Sequence, residues 1–108
     1  LLVIAGALPK SAAASIMAKL KDHSATGRVI FTGQVDELQK AALMKGSEAL
    51  ILPSIYEGFG LQMLEAFHHS TPVIASNRGA LPEVAGEAAY LTNPDAEALA
   101  HAMMSVIA

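Results

Sequence analysis

Glu57 and Glu65 stand eight positions apart, with Gly58-Phe59-Gly60 between them and an apolar run starting at Leu61. An ionised carboxylate accepts hydrogen bonds and cannot donate them, so it suits sugar hydroxyls as partners. Two glycines flanking an aromatic just before a helix let the backbone approach a ligand closely. The amides of about Phe59, Gly60 and Leu61 would have no intrahelical acceptor, and with the helix dipole they form a site for an anion such as phosphate. Carboxylates bracketing an anion site point to a ligand carrying both phosphate and hydroxyls. The same residues also fit a plain strand-to-helix turn in which Glu65 only complements the dipole, worth about 0.3–1 kcal/mol. Spacing alone leaves these two readings balanced.

Other reactive residue types form no comparable constellation. His68 and His69 are adjacent, so on a helix they point about 100° apart and cannot clamp one ion together. His23 and His101 are far from them in sequence, and cysteine is absent, so no metal site is expected. Ser70 and Ser76 have no histidine and acid at a spacing that would make a hydrolase. Met17, Met44, Met63, Met103 and Met104 fall mostly on apolar helical faces and read as core packing. Glu83, after Leu81-Pro82, starts a short helix and fits a solvated cap as well as a pocket role.

The elements that must position the two glutamates alternate along the chain. Leu1–Gly6 and Arg28–Gly33 read as strands ending in glycine, with a helix from Pro9 to about His23 between them. Asp36 and Gln39 have capping-box spacing at the start of a helix that Gly46 ends. Further strands are expected at about Ala49–Ser54, Pro72–Ser76 and, more weakly, Ala88–Thr92. Ile55–Gly60 is a loop and Leu61–His69 a helix. Asn93-Pro94 reads as a cap and first turn for a last helix carrying Leu99, Ala102, Met103, Val106 and Ile107. This alternation predicts an α/β domain with a parallel sheet of about five strands, flanking helices and ligand sites beyond the carboxyl ends of its strands.

Composition bounds the function class. The 108 residues are 53% hydrophobic and 16% charged, with a net charge of −3, which excludes intrinsic disorder. No basic stretch favours a nucleic-acid partner. No apolar run reaches the roughly 18 residues of a membrane span, and Leu1–Ala7 lacks the basic flank of a signal peptide. The chain opens inside an apolar run without an initiator Met, as a piece of a longer protein would.

Pro53-Ser-Ile-Tyr-Glu-Gly-Phe-Gly-Leu-Gln-Met-Leu-Glu-Ala66, with Ser70-Thr-Pro-Val-Ile-Ala-Ser76 and Gly79-Ala-Leu-Pro-Glu-Val84, resembles the GT4-type retaining glycosyltransferases. The resemblance runs nearly end to end. It implies a Rossmann-like domain, one half of the two-domain GT-B architecture. Residues 1–108 would be most of the donor-binding domain, with the amino-terminal acceptor-binding domain and the start of this domain outside the sequence. It implies transfer of a hexosyl group from a nucleotide-diphosphate sugar, in polysaccharide or glycolipid biosynthesis, without a metal or other cofactor. By position, Glu57 is the catalytic-site glutamate that contacts hydroxyls of the transferred sugar. Gly58, Phe59, Gly60 and Leu61 hold sugar and diphosphate through their amides, and Glu65 binds the ribose. Gln34-Val35 resembles the segment whose backbone lines the base pocket, and Ser54 and Tyr56 help shape the site. The setting implied is cytoplasmic, peripheral to a membrane in the full-length enzyme.

This sequence departs from the family pattern at Gln62, where proline is usual, and at His68-His69-Ser70, where Ala-Cys-Gly is common. The arginine and lysine that neutralise the leaving diphosphate in such enzymes have no match here, and Arg78 is the nearest basic residue by position. Three classes therefore stay open. One is the donor half of a transferase, inactive alone. Another is a nucleotide-binding module that self-associates as a homodimer through uncovered apolar surface. The third is a nucleotide-sugar epimerase or hydrolase domain.

Overall fold

The computed structural model describes residues 1–107. Contacts divide the chain into two compact units, Leu1–Lys40 and Ala41–Ala108. The first holds strand β1 (Leu2–Ala5), helix α1 (Lys10–Asp22), a 3-10 turn at Thr26–Arg28, strand β2 (Val29–Gly33) and the start of helix α2 (Glu37–Gly46). β1 and β2 pair in parallel from Leu2↔Val29 to Ala5↔Gly33, with a register irregularity between Ile4 and Ala5. The Gly6 amide donates to the Gly33 carbonyl at 2.8 Å just past the strand ends. The predicted capping box is present at α2. The Gln39 amide donates to Asp36 Oδ1 at 2.7 Å, and the Asp36 amide donates to Gln39 Oε1 at 2.9 Å.

The second unit contains strand β3 (Leu50–Leu52), helix α3 (Leu61–His68), strand β4 (Val73–Ser76), helix α4 (Leu81–Ala85), strand β5 (Tyr90–Thr92) and helix α5 (Ala96–Ile107). Its sheet has the order β3-β4-β5 and both pairings are parallel. The five expected strands are all found, paired as two and three. All four residues of β4 are buried, as a central strand covered on both faces requires. The core joins Met44, Leu52, Met63, Ala66, Val73, Ala75, Leu81 and Ala85. No helix among the described residues is long and apolar enough to cross a membrane.

Three local expectations need correction. The cap of α5 is Asp95, whose Oδ1 accepts the Ala98 amide at 2.8 Å, rather than Asn93. Asn93 Oδ1 is taken up elsewhere, accepting from Asn77 Nδ2 at 3.0 Å. The methionines are not uniformly core: Met44 and Met63 are buried, but Met17 and Met104 are exposed. Third, α4 begins at Leu81, so Glu83 lies within its first turn as an exposed residue.

The carboxyl end of α3 shows what the unusual Ser70 does. The Thr71 amide donates to the Ala66 carbonyl at 2.9 Å and the Ser70 amide to the Phe67 carbonyl at 3.0 Å. That pair of bonds is a Schellman motif, and it sets Ser70 at φ +57°, where glycine is the usual occupant. Thr71 follows, with its buried hydroxyl donating to the Met44 carbonyl at 2.7 Å.

Urea denaturation should therefore show Ser70→Gly stabilising the chain by about 0.5–1 kcal/mol, because relief of left-handed strain exceeds glycine's entropy cost. In the same assay, Met63→Ala should cost about 2–5 kcal/mol, since Met63 is fully buried. Met104→Ala should stay within about 0.5 kcal/mol, since Met104 is 71% exposed.

Candidate functional site

Because β3, β4 and β5 are parallel, the loops after them leave the same edge of the sheet. Pro53–Gly60 follows β3, Asn77–Ala80 follows β4, and Asn93–Asp95 follows β5. This is the edge at which open α/β sheets bind ligands.

Gly60 sets the entry to α3. It occupies the position before the helix at φ +78°, ψ 44°, and no side chain caps the helix there. The Met63 amide donates to the Gly60 carbonyl at 3.0 Å. Among the described residues, the amides of Phe59, Gly60 and Leu61 donate to no backbone carbonyl. The group expected to face an anion is thus present at the positive end of α3. Gly60 is also tightly enclosed: a Cβ there would lie 2.8 Å from Leu81 Cδ2.

Glu57 and Glu65 are both half-buried. Glu57 precedes the turn, and Glu65 is the fifth residue of α3, roughly 6 Å along the axis from its start at 1.5 Å per residue. Gly58, Phe59 and Leu61 are exposed, as is Tyr56 at 83%. Ser54 is half-buried. The structure thus places Glu57, Gly58, Phe59, Gly60, Leu61 and Glu65 on one loop-helix junction of the second unit. Val35 belongs to the first unit, half-buried in the turn between β2 and α2. Among the described residues, no three His, Cys, Asp or Glu side chains cluster as a metal centre would need.

The loop after β4 contributes residues to which sequence reasoning gave no role at the site. The Ala80 amide donates to the Glu57 carbonyl at 3.0 Å, tying that loop to the glutamate's own peptide. Gly79 sits at φ +60°, and a Cβ on it would come 2.9 Å from the Glu57 nitrogen and 3.0 Å from the Glu57 oxygen. Ser76 Oγ accepts the Arg78 amide at 3.0 Å, and Arg78 Nη1 donates to Asn77 Oδ1 at 2.8 Å. Asn77 Nδ2 in turn donates to Asn93 Oδ1 at 3.0 Å, linking the loops after β4 and β5. In the sequence this loop showed as a glycine three positions past a strand, opening the Gly79–Val84 motif.

Gly60→Ala should destabilise the chain by about 1–3 kcal/mol in thermal or urea unfolding, from left-handed strain and overpacking against Leu81 together. Gly58→Ala should have little effect on stability, since a Cβ there meets nothing within 4 Å.

The model of the family described as "Glycosyl transferases group 1" matches residues 1–108. The chain is 47% identical over 66 residues to the MMP alpha-(1->4)-mannosyltransferase of Mycolicibacterium hassiacum, covering 58% of this chain and 16% of that protein. It is 38% identical over 82 residues to O-antigen chain mannosyltransferase B of Escherichia coli, covering 74% of this chain and 22% of that one. Among solved structures, sucrose-phosphate synthase from Thermosynechococcus elongatus superimposes with a TM-score of 0.82 at 32% identity, over 98% of this chain and 29% of that chain. The chain therefore spans between a sixth and a third of the length of these relatives. With its α/β fold and the Glu57–Glu65 junction at the carboxyl edge of the sheet, the chain belongs to the group 1 glycosyltransferases.

Proposed function

We propose that the chain is the donor-binding part of a retaining glycosyltransferase that moves a hexosyl group from a nucleotide-diphosphate sugar to an acceptor. The observation that carries this reading is the α3 entry: unbonded amides at Phe59, Gly60 and Leu61, with half-buried glutamates on either side. Family membership supports it.

On this reading the diphosphate sits against the α3 amides, which stabilise negative charge as the bond between sugar and phosphate breaks. Glu57 accepts hydrogen bonds from the transferred sugar, and Glu65 accepts them from the ribose. The leaving phosphate oxygen takes the acceptor's proton on the same face, which retains configuration. The glutamates orient the donor, and positioning of this kind supplies a large share of rate enhancement. The donor is a substrate, and the reading assigns no resident cofactor. The acceptor side belongs to the other domain of the architecture, so the 108 residues alone should bind nucleotide weakly and transfer nothing. A cytoplasmic enzyme, peripheral to a membrane, is the setting that goes with it.

Calorimetric titration with UDP, GDP and ADP tests the reading. One of the three should bind saturably, and Glu65→Ala should weaken it by roughly 10- to 100-fold, the equivalent of one or two hydrogen bonds to a charged group. Glu57→Ala should leave the diphosphate's affinity within about twofold and weaken only the nucleotide sugar. Failure of all three nucleotides to bind would contradict the donor-site reading. So would sugar transfer by the isolated chain.

A further inference from the structure

We propose that Gly79 is a positioning residue for Glu57, and that it governs recognition of the donor's sugar rather than of its nucleotide. The inference rests on the donor-site reading for what Glu57 contacts; the contact between Gly79 and Glu57 stands on geometry alone.

Three consecutive residues after β4, the last of them the first of α4, meet the loop after β3. Gly79 faces the Glu57 peptide so closely that a Cβ would lie 2.9 Å from its nitrogen and 3.0 Å from its oxygen. Real Cβ atoms do not sit this near backbone atoms, so any side chain at position 79 must displace the Glu57 backbone or its own. The Ala80 amide holds the same peptide through a 3.0 Å bond to the Glu57 carbonyl. Leu81, fully buried, packs on Gly60 three residues further along that loop. The segment 79–81 is thus a brace under residues 57–60, and its contacts at the Glu57 end are with main-chain atoms, which cannot swing aside as a side-chain tip can.

The brace makes a differential expectation. Gly79 presses on Glu57, the residue read as contacting the transferred sugar: the three atoms nearest to a Cβ at position 79 all belong to Glu57, which precedes the helix α3 that carries Glu65. Displacing the Glu57 peptide should therefore damage the sugar end of the site and spare the ribose end. A purely structural glycine would damage both ends equally or neither. Gly86 supplies the control: it has a similar left-handed φ of +54°, yet a Cβ there meets nothing within 4 Å.

The test compares Gly79→Ala with Gly86→Ala in the 108-residue chain. Affinities for UDP-glucose, GDP-mannose and ADP-glucose are measured beside those for UMP, GMP and AMP, using the base that the wild-type chain binds. Gly79→Ala should weaken the nucleotide sugar at least about tenfold and the monophosphate less than about twofold, while Gly86→Ala should leave both unchanged. Gly79→Asn guards against misfolding, since asparagine tolerates left-handed backbone but still carries the clashing Cβ. It should reproduce the selective loss. Unchanged affinities in folded Gly79 variants, or equal loss for sugar and monophosphate, would overturn the proposal. Backbone amide exchange of Ala80 is recorded alongside. If the wild-type chain binds no nucleotide, the donor-site reading and the sugar role of Gly79 both fail. The brace then stands or falls by itself: it stands if Ala80 exchange accelerates in the Gly79 variants but not in Gly86→Ala, and falls if it does not.

Discussion

The Glu57 peptide lies where it does because position 79 has no side chain and position 80 has an amide to offer. That contact joins the loops after β3 and β4 within the second unit, just ahead of the turn that opens α3. Without it, Pro53–Gly60 would be a loop fixed at its ends alone, with exposed apolar side chains at Ile55, Tyr56 and Phe59 and little core of its own. Loops of that kind are poor at holding a carboxylate to the tolerance that ligand recognition needs.

Rigidity below the loop has a separate origin. β4 is buried along its whole length between β3 and β5, and Met63 and Ala66 press α3 onto the core that contains Val73 and Ala75. The amino end of α3 is thereby held at the carboxyl edge of the sheet with its first amides unbonded. The carboxyl end of α3 is closed by the Schellman motif at Ser70 and by Thr71 bonding to Met44. Core packing thus places the helix dipole, and backbone contacts between loops place the glutamate ahead of it. The two halves of the candidate site depend on different forces, which is why they can be perturbed separately.

What was legible in the sequence was mostly local. Asp36 and Gln39 sit three apart and cap α2 as that spacing requires. Gly60 before an apolar run marked the start of α3, and the strand-helix alternation gave the parallel pairing. The misses follow from competition or distance. Asp95 caps α5 while Asn93 Oδ1 is engaged by Asn77, a bond 16 positions apart in sequence. Ser70 in left-handed backbone was unreadable because serine carries no such signal, whereas a glycine there would have. Met104 was grouped with the core methionines by residue type, which cannot say whether anything covers that side chain. Gly79 was noted only as part of a family motif and given no role, since its contact is with Glu57, a residue 22 positions earlier that no local pattern encodes.

The proposed donor site makes the α3 entry an anion site flanked by sugar-binding carboxylates. The most direct measurement is backbone amide NMR of the chain titrated with a nucleoside diphosphate and, separately, with the same nucleoside lacking phosphate. The largest shifts with the diphosphate should fall on Phe59, Gly60 and Leu61, and the bare nucleoside should leave those amides nearly unmoved. Diphosphate-dependent shifts centred elsewhere, with these three amides unmoved, would contradict it.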